Sequence, residues 1–167
     1  TSTGGNNDTY DGVDIKFKHA LSAIEVTAKT DKDYSGAIKL TKITILNAQN
    51  KGKFNQNMNN AVTEGTPEWT NNDTEVSYVL FSGGHELTTT ALTSLTTPAI
   101  SNAILLPQDF IHDRSGKHVS IRVDYTIKHG AAELPQYYVV DLSSTTGHVG
   151  SDPSTMLLAW EMGKRYT

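Results

Sequence analysis

The sequence of 167 residues contains no cysteine, which excludes disulfide bonds, thiol catalysis and zinc sites that use thiolate ligands. It also lacks any apolar run approaching the roughly 18 residues of a membrane-spanning helix. Clusters of basic residues are absent as well, so nothing indicates binding to nucleic acid or to an anionic membrane surface. The function of the chain must therefore be inferred from its strand pattern and its short motifs.

The composition indicates a protein built from β-sheets that each present one face to water. Apolar residues make up 37% of the chain, while Thr, Ser, Asn and Gly are abundant. The apolar residues occur in ordered bursts and the formal net charge is only −4, so the sequence predicts a folded chain. A domain of this length buries roughly 70% of the surface that its unfolded chain exposes, and it needs no metal or disulfide to hold its core.

Alternating apolar residues predict strands along most of the chain. Residues 13–29 alternate in two phases with small residues between them, and this pattern predicts one strand that carries a bulge where the phase changes. Further strands are predicted at 36–48 and at 75–83, the second of which ends at a Gly-Gly pair. The most regular alternation, at 119–127, is predicted to form a hairpin with 137–142.

Together these segments predict about seven strands, no amphipathic helix and no internal repeat. We therefore expect an all-β fold, an antiparallel Greek-key β-sandwich. Residues 13–167 form this single domain in the prediction, and residues 1–12 precede it as a flexible leader. The sequence begins without Met or a signal peptide, so any export signal or lipid anchor is expected upstream of it.

No group of residues predicts catalysis or cofactor binding. His112 and His118 flank one turn with Asp109 and Asp113 beside them, and a metal site would require such side chains to converge. A solvated polar loop is the favoured interpretation of this turn. The nucleophile motif of hydrolases is absent, and no pair of carboxylates stands out for glycoside cleavage. The sequence therefore predicts a protein that is not an enzyme, with no catalytic residue, no metal ligand and no cofactor.

Two other functions remain open on the residues alone. A carbohydrate-binding module of a secreted or surface glycan-capture system would present an exposed row of aromatic rings, for which Trp69, Tyr78 and the Asn-rich residues 55–72 are the candidates. A hydrolase built on a β-sandwich would use His112 and His118. The first hypothesis predicts a change of tryptophan fluorescence with glycans, and the second predicts an activity that is lost when both histidines become alanine.

Three stretches, in this order, resemble the second domain of fimbrillin-like proteins of Bacteroidales. The first is VDIKFKHALSAIEV at 13–26, the second is AILLPQ at 103–108, and the third is WEMGKRYT at 160–167. Each motif is short, whereas their order and spacing together cover nearly the whole chain. The positions that carry the resemblance in the first and third stretches are Phe17, His19, Leu21, Ser22, Ile24, Trp160, Gly163, Lys164, Tyr166 and Thr167.

The resemblance implies a transthyretin-like β-sandwich that serves as a fimbrial (pilus) subunit, a tip component or a surface adhesin in cell adhesion. Proteins of this family are exported as lipoproteins, which implies a location at the outer membrane, the cell surface or the fimbrium. Polymerisation in the family uses donor-strand exchange, in which a strand of one subunit fills a groove in the next. The implied partners are other fimbrial subunits or further copies of this chain, together with a host or bacterial glycan or protein.

Two departures from the family pattern shape the expected site. The usual preceding β-rich domain is not within these 167 residues, so a larger precursor is expected. The closing motif usually begins a longer strand, whereas this chain stops at Thr167. We therefore expect a truncated last strand whose unpaired edge accepts another strand. The side chains expected near this strand-exchange groove, for packing and not for chemistry, are Phe17, Leu21, Ile24, Val26, Trp160 and Tyr166.

Overall fold

The computed structural model describes residues 19–30, 37–55, 68–71, 74–89, 93–94, 103–111, 118–144 and 158–166. Their regular structure consists of strands and one short 3₁₀ helix at Leu142–Ser144, which confirms the all-β prediction. The division into a leader at 1–12 and one domain at 13–167 stays a prediction. The strands are β1 (Ser22–Ile24), β2 (Thr27–Ala28), β3 (Ile38–Gln49), β4 (Gly52–Asn55), β5 (Glu68–Asn71), β6 (Glu75–Glu86), β7 (Thr93–Ser94), β8 (Ala103–Leu105), β9 (Gln108–Asp109), β10 (Ser120–His129), β11 (Ala132–Asp141), β12 (Ala159–Trp160) and β13 (Arg165–Tyr166).

The largest sheet has four antiparallel strands in the order β11-β10-β3-β6. β3 lies inside this sheet, and its apolar, β-branched sequence places Leu40, Ile43 and Ile45 in the core. Its pairing with β6 shifts register three times along the strand. Such bulges change which face of a strand turns inward. They agree with the sequence of β3, in which apolar residues lie at even positions up to Leu40 and then at the odd positions of Ile43 and Ile45.

β10 and β11 form the predicted hairpin, which is longer than the sequence pattern indicates. Ten residue pairs join the two strands without a break, from Ser120 with Asp141 to His129 with Ala132. In the two-residue turn between them Gly130 has φ +63, as a type II′ turn requires at its first central position. β10 pairs on its other side with β3, so the hairpin places β11 at an edge of the sheet.

β6 continues past the end that the sequence predicts. The prediction that it stops at Gly83–Gly84 is wrong, because the strand extends to Glu86. The flexible end of the Lys39 side chain, on the neighbouring strand β3, lies over Gly84, where it occupies the space of a Cβ atom. Glycine inside a strand does not always mark a turn, and here the pairing with β3 continues past the Gly-Gly pair.

The second sheet that bounds the core has three short strands in the order β13-β1-β8. β1 is antiparallel to β8 and parallel to β13. The single strand expected over 13–29 consists, within the described residues, of β1 and β2, which are separated by Glu25 and Val26. Since β2 pairs with β7 and not with the neighbours of β1, the described part of this segment is divided between two sheets. The division falls at Glu25 and Val26, after the predicted change of phase, and the odd-phase residues up to Phe17 lie outside the described residues.

The core contains apolar side chains from both of these sheets, which confirms the predicted β-sandwich. The rings of Phe110 and Trp160 meet edge to face with their centroids 5.1 Å apart, an arrangement that aromatic pairs favour. The buried apolar side chains are Ile24, Leu40, Ile43, Ile45, Ala48, Leu80, Leu105, Phe110, Val119, Trp160 and Tyr166.

Candidate strand-addition site

β13 lies at one edge of the three-stranded sheet, and no described strand pairs with its far side. Its near side is fixed to β1, because Ala23 N–H donates to Lys164 O and Glu25 N–H donates to Tyr166 O, each at 2.9 Å. Residues 164 and 166 therefore face β1, and the backbone groups of Arg165 point away from it. An edge with outward-pointing backbone groups is what the addition of a strand requires.

Tyr166 anchors β13 in the core. Its ring is buried, and its phenolic oxygen accepts a hydrogen bond from Glu161 N–H at 2.8 Å. Burial raises the pKa of Tyr166 because the phenolate would lose its hydration, and this effect exceeds the opposing effect of the hydrogen bond from Glu161. The tyrosine of the closing motif thus holds the preceding turn and the last strand together.

The turn at 161–164 brings the first and third sequence motifs into contact. Gly163 has φ +73, in the left-handed region that glycine adopts without strain, and its N–H donates to Leu21 O at 3.1 Å. The hydroxyl of the buried Ser22 donates to Glu161 O at 2.7 Å. The conspicuous Ser of one motif and Gly of the other therefore have a structural explanation, which is to fasten the turn to β1.

The glutamine of the middle motif forms a second clamp. Gln108 is buried, its Oε1 accepts from Gln49 N–H at 2.8 Å, and its Nε2 donates to Leu106 O at 3.0 Å. Its backbone pairs with Trp160, so one residue links the end of β3 to β12. Sequence reasoning did not find this role, because a glutamine after proline gives no local signal that its amide is buried.

A depression of about 430 Å³ lies over the outer face of the three-stranded sheet. Its floor includes one cross-strand row, in which Ala23 lies between Ile104 and Arg165. The short side chain of Ala23 leaves the space between its longer neighbours unfilled. Lys164 and Arg165 give the depression a cationic side, although Arg165 is also ion paired with Glu25.

The residues predicted to form the groove occupy different environments. Ile24, Trp160 and Tyr166 are buried in the core, and Val26 packs half-buried against it. Leu21 is partly exposed and lines the depression. The sixth residue, Phe17, lies outside the described residues. The role of these side chains in strand exchange stays a prediction.

The histidine pair considered for metal binding is only partly described. His112 and Asp113 lie outside the described residues, while His118 forms an isolated bridge with Ile111. The Nδ1 atom of His118 is buried and has no hydrogen-bond partner. In the described part of the chain, no three side chains of the types that bind metals converge.

Trp69 and Tyr78 do not form the exposed aromatic row that a carbohydrate-binding module would need from them. The Nε1–H of Trp69 donates to Ala20 O at 2.6 Å, and its ring packs against Phe54 with centroids 5.1 Å apart. Tyr78 packs against the core, and burial raises its pKa. Residues 56–67 of the Asn-rich stretch lie outside the described residues.

Comparison with known proteins agrees with the three motifs. A family model described as fimbrillin-like, a structural family, matches residues 1–167. No curated protein and no solved structure gives a match. None of the described residues forms a helix with the length and apolar character that crossing a bilayer demands. Because the family match spans all 167 residues, the chain belongs to the fimbrillin-like family, which indicates a fimbrial subunit at the cell surface in contact with other subunits.

Proposed function

We propose that this chain is an exported, non-enzymatic subunit of a surface fimbrium that accepts a β-strand from another subunit along the open edge of β13. The observation that carries the proposal is the position of β13, which pairs with β1 on one side and with no described strand on the other. Membership of the fimbrillin-like family supports the fimbrial context. The buried ring of Tyr166 supports it further, because an edge must be held rigidly before it can act as a template.

A strand added at this edge gains affinity from main-chain hydrogen bonds and specificity from its side chains. The outward-pointing backbone groups of Arg165 supply the first bonds. Successive side chains of the added strand alternate between the two faces of the sheet. One set lies on the same face as the depression above Ala23, whose cationic side favours acidic or polar residues, and the other set continues the apolar row of Tyr166.

The melting temperature of the chain tests this proposal when a synthetic peptide with alternating apolar residues is added as a strand to pair beside β13. At about one hundred times its dissociation constant, such a peptide stabilises the folded state by about 2.7 kcal/mol. For a chain of this size we expect the melting temperature to rise by about 5–10 °C. The rise should saturate as the peptide concentration increases, as it does for binding at one site.

A control peptide of equal length carries proline at every second position, which removes backbone donors while keeping the chain apolar. We expect it to leave the melting temperature unchanged. An Arg165→Pro variant should respond weakly to the first peptide, since the substitution removes an N–H that points away from β1. The proposal is wrong if the first peptide has no effect at saturation, or if both peptides have the same effect.

Glycan recognition is a second candidate, favoured by a cleft of about 340 Å³ beside β12. The cleft is lined by Trp69 and by the acidic residues Glu68, Asp109 and Glu161. Aromatic side chains combined with a few convergent polar groups are typical of small-molecule sites. Titration with neutral oligosaccharides should change the tryptophan fluorescence of the chain, and a Trp69→Phe variant should show a smaller change, because Trp160 also lines the cleft. A flat titration of the unmodified chain would exclude the cleft as a glycan site.

A further inference from the structure

β11 lies at the edge of the four-stranded sheet opposite to β6, and no described strand pairs with its far side. Every side chain from Ala132 to Val139 is exposed, although this stretch includes Leu134, Tyr137 and Tyr138. Exposed apolar side chains along a regular edge strand are a hazard that folded proteins usually avoid. Their presence here therefore needs an explanation that the open edge of β13 does not provide.

Two hydrogen bonds show which backbone groups of β11 face outward. Leu142 N–H donates to Val119 O at 3.1 Å, and Lys128 N–H donates to Ala37 O at 2.7 Å. Since bonding alternates along an antiparallel pair, the even-numbered residues of β11 bond to β10 and the odd-numbered residues point away. Pro135 is odd-numbered, and it occupies a position where a missing N–H costs no bond to β10. The N–H groups of Tyr137 and Val139 point outward by the same alternation.

The open part of this edge is short and has defined ends. Pro135 interrupts the row of outward donors on one side, and the 3₁₀ helix that begins at Leu142 ends the strand on the other. Between these two ends, residues 137–141 form a stretch of strand that pairs regularly with β10. The opposite edge, β6, is bulged three times against β3, and bulges make an edge a poor template.

We infer that β11 pairs antiparallel with β11 of a second copy of this chain, about a two-fold axis at Val139. In this register the outward N–H of Val139 in each copy donates to the C=O of Val139 in the other copy, and residues 137–141 of the two copies lie opposite each other. The two four-stranded sheets then form one continuous sheet of eight strands. Such an interface is self-complementary, as a two-fold contact must be.

Charge complementarity supports this register. The guanidinium of Arg122 lies 4.5 Å from the ring centroid of Tyr137 and is held by Asp124 through bonds of 2.6 to 3.2 Å. Pairing about Val139 places Asp141 of the second copy opposite Tyr137, and therefore beside this cation. The Asp141 carboxylate is itself oriented by Ser143, whose N–H and hydroxyl donate to it at 2.9 and 2.7 Å. A register centred one residue earlier would place that aspartate opposite Pro135 and lose this match.

The interface is small, because a five-residue ladder buries less than the roughly 1,200 Å² of a standard protein interface. We therefore expect a weak dimer in rapid exchange. Tyr137 and Val139 contribute on the outer face of the sheet, while Tyr138 meets Val140 of the second copy on the inner face. Aromatic side chains that are already ordered by their own strand lose little entropy on binding.

Sedimentation of the full chain from about 10 μM to about 1 mM spans the range expected for so small an interface and tests this inference. The weight-average mass should rise from 18.2 kDa toward twice that value. A Val139→Lys variant should stay monomeric, because it places two like charges at the two-fold axis. The matched control is Val79→Lys: Val79 and Val139 are 43% and 42% exposed and lie in the same cross-strand row, at opposite edges of the sheet. This variant should associate like the unmodified chain.

Mixing Val139→Lys with Val139→Glu gives a positive test, since opposite charges at the axis should restore a dimer that neither variant forms alone. Far-ultraviolet dichroism of each variant shows that the fold is retained. The inference is wrong if the unmodified chain stays at 18.2 kDa throughout, or if Val139→Lys associates as readily as Val79→Lys. The result is independent of strand addition at β13, because the two edges belong to different sheets.

Discussion

The inner face of the four-stranded sheet is closed around β3 and open along β11. Leu40 and Leu134 are the same residue type on this face, yet Leu40 is 1% exposed and Leu134 is 48% exposed. Tyr138 is in the same cross-strand row as the buried Ile43 and is 65% exposed. Among the described residues, the strands β1, β2, β8 and β13 have only two or three residues each, whereas β3, β10 and β11 have ten to twelve. The buried side chains of the described residues thus lie on β3 and its neighbours and not on β11.

The residues that stabilise the fold are therefore different from the exposed residues that are available for contact with other molecules. The hydrophobic contribution to the free energy of folding grows with the apolar area removed from water. The buried side chains around β3 therefore contribute most of it. The strand β11 carries apolar side chains on both of its faces, and those from Leu134 to Val139 are exposed. Three pairs of substitutions, and a single substitution at the end of β11, can break or sharpen this comparison.

The largest expected effect is that of Leu40→Ala. This change should lower the free energy of unfolding by about 2–5 kcal/mol, because it leaves a cavity in a closed core. Leu134→Ala should change it by less than about 0.5 kcal/mol, as expected for an exposed site. Urea denaturation monitored by dichroism measures both. Equal losses would mean that the inner face of β11 is as well covered as that of β3.

Glycine substitutions compare the turn beside β13 with the tip of the hairpin. Both glycines have positive φ, so alanine is strained at each, by roughly 1 kcal/mol or more. A Cβ at Gly163 would also lie 3.3 Å from His19 O, whereas a Cβ at Gly130 meets nothing within 4 Å. Gly163→Ala should therefore lower the urea midpoint more than Gly130→Ala. The reverse order would show that the turn beside β13 is the looser of the two.

Tyr166→Phe should cost about 1 kcal/mol of stability, since it leaves the N–H of Glu161 without its acceptor. Tyr138→Phe should cost nothing measurable, because that ring is exposed. Burial raises the pKa of Tyr166 and of Tyr78, so each folded phenol holds its proton to higher pH than the unfolded one. Stability is thus full below the ordinary value of 10.0 and falls as the pH rises through the raised value.

Alkaline denaturation checks this sign. Tyr166→Phe should make the loss of stability above pH 10.0 shallower without abolishing it, because Tyr78 still titrates. Tyr138→Phe should leave the alkaline profile unchanged. A profile that is the same in all three proteins would mean that Tyr166 is not protected from water.

The smallest expected effect concerns Asp141 at the end of β11. Desolvation raises the pKa of Asp141, but the hydrogen bonds from Ser143 and the nearby His118 lower it by more. The net pKa is therefore below the ordinary value. The carboxylate therefore adds stability above its ordinary value of 3.8, and this contribution is lost as the pH falls through the lowered value. Asp141→Asn should slightly flatten the acid limb of a stability profile measured by urea denaturation. A steeper acid limb would contradict the assignment.

Local patterns could predict much of this fold and little of the candidate site. The hairpin of β10 and β11 follows from alternation and from a glycine at its turn. The buried positions of Ile24, Trp160 and Tyr166 agree with their apolar character. The clamp formed by Gln108, the cation over Tyr137 and the extension of β6 past Gly84 have no local signal, because each depends on a residue of another strand.

The sequence by itself determined that the chain is an all-β protein of the fimbrillin-like family, because alternation and short motifs are properties of neighbouring residues. Only the tertiary structure decided which of the described strands lie at sheet edges and which of their apolar side chains are exposed. Those outcomes depend on contacts between distant positions, such as the bond from Ser22 to Glu161 across 139 residues. The alternation of apolar and polar residues along a strand predicts which side chains share a face, whereas packing against the rest of the chain decides whether that face is buried.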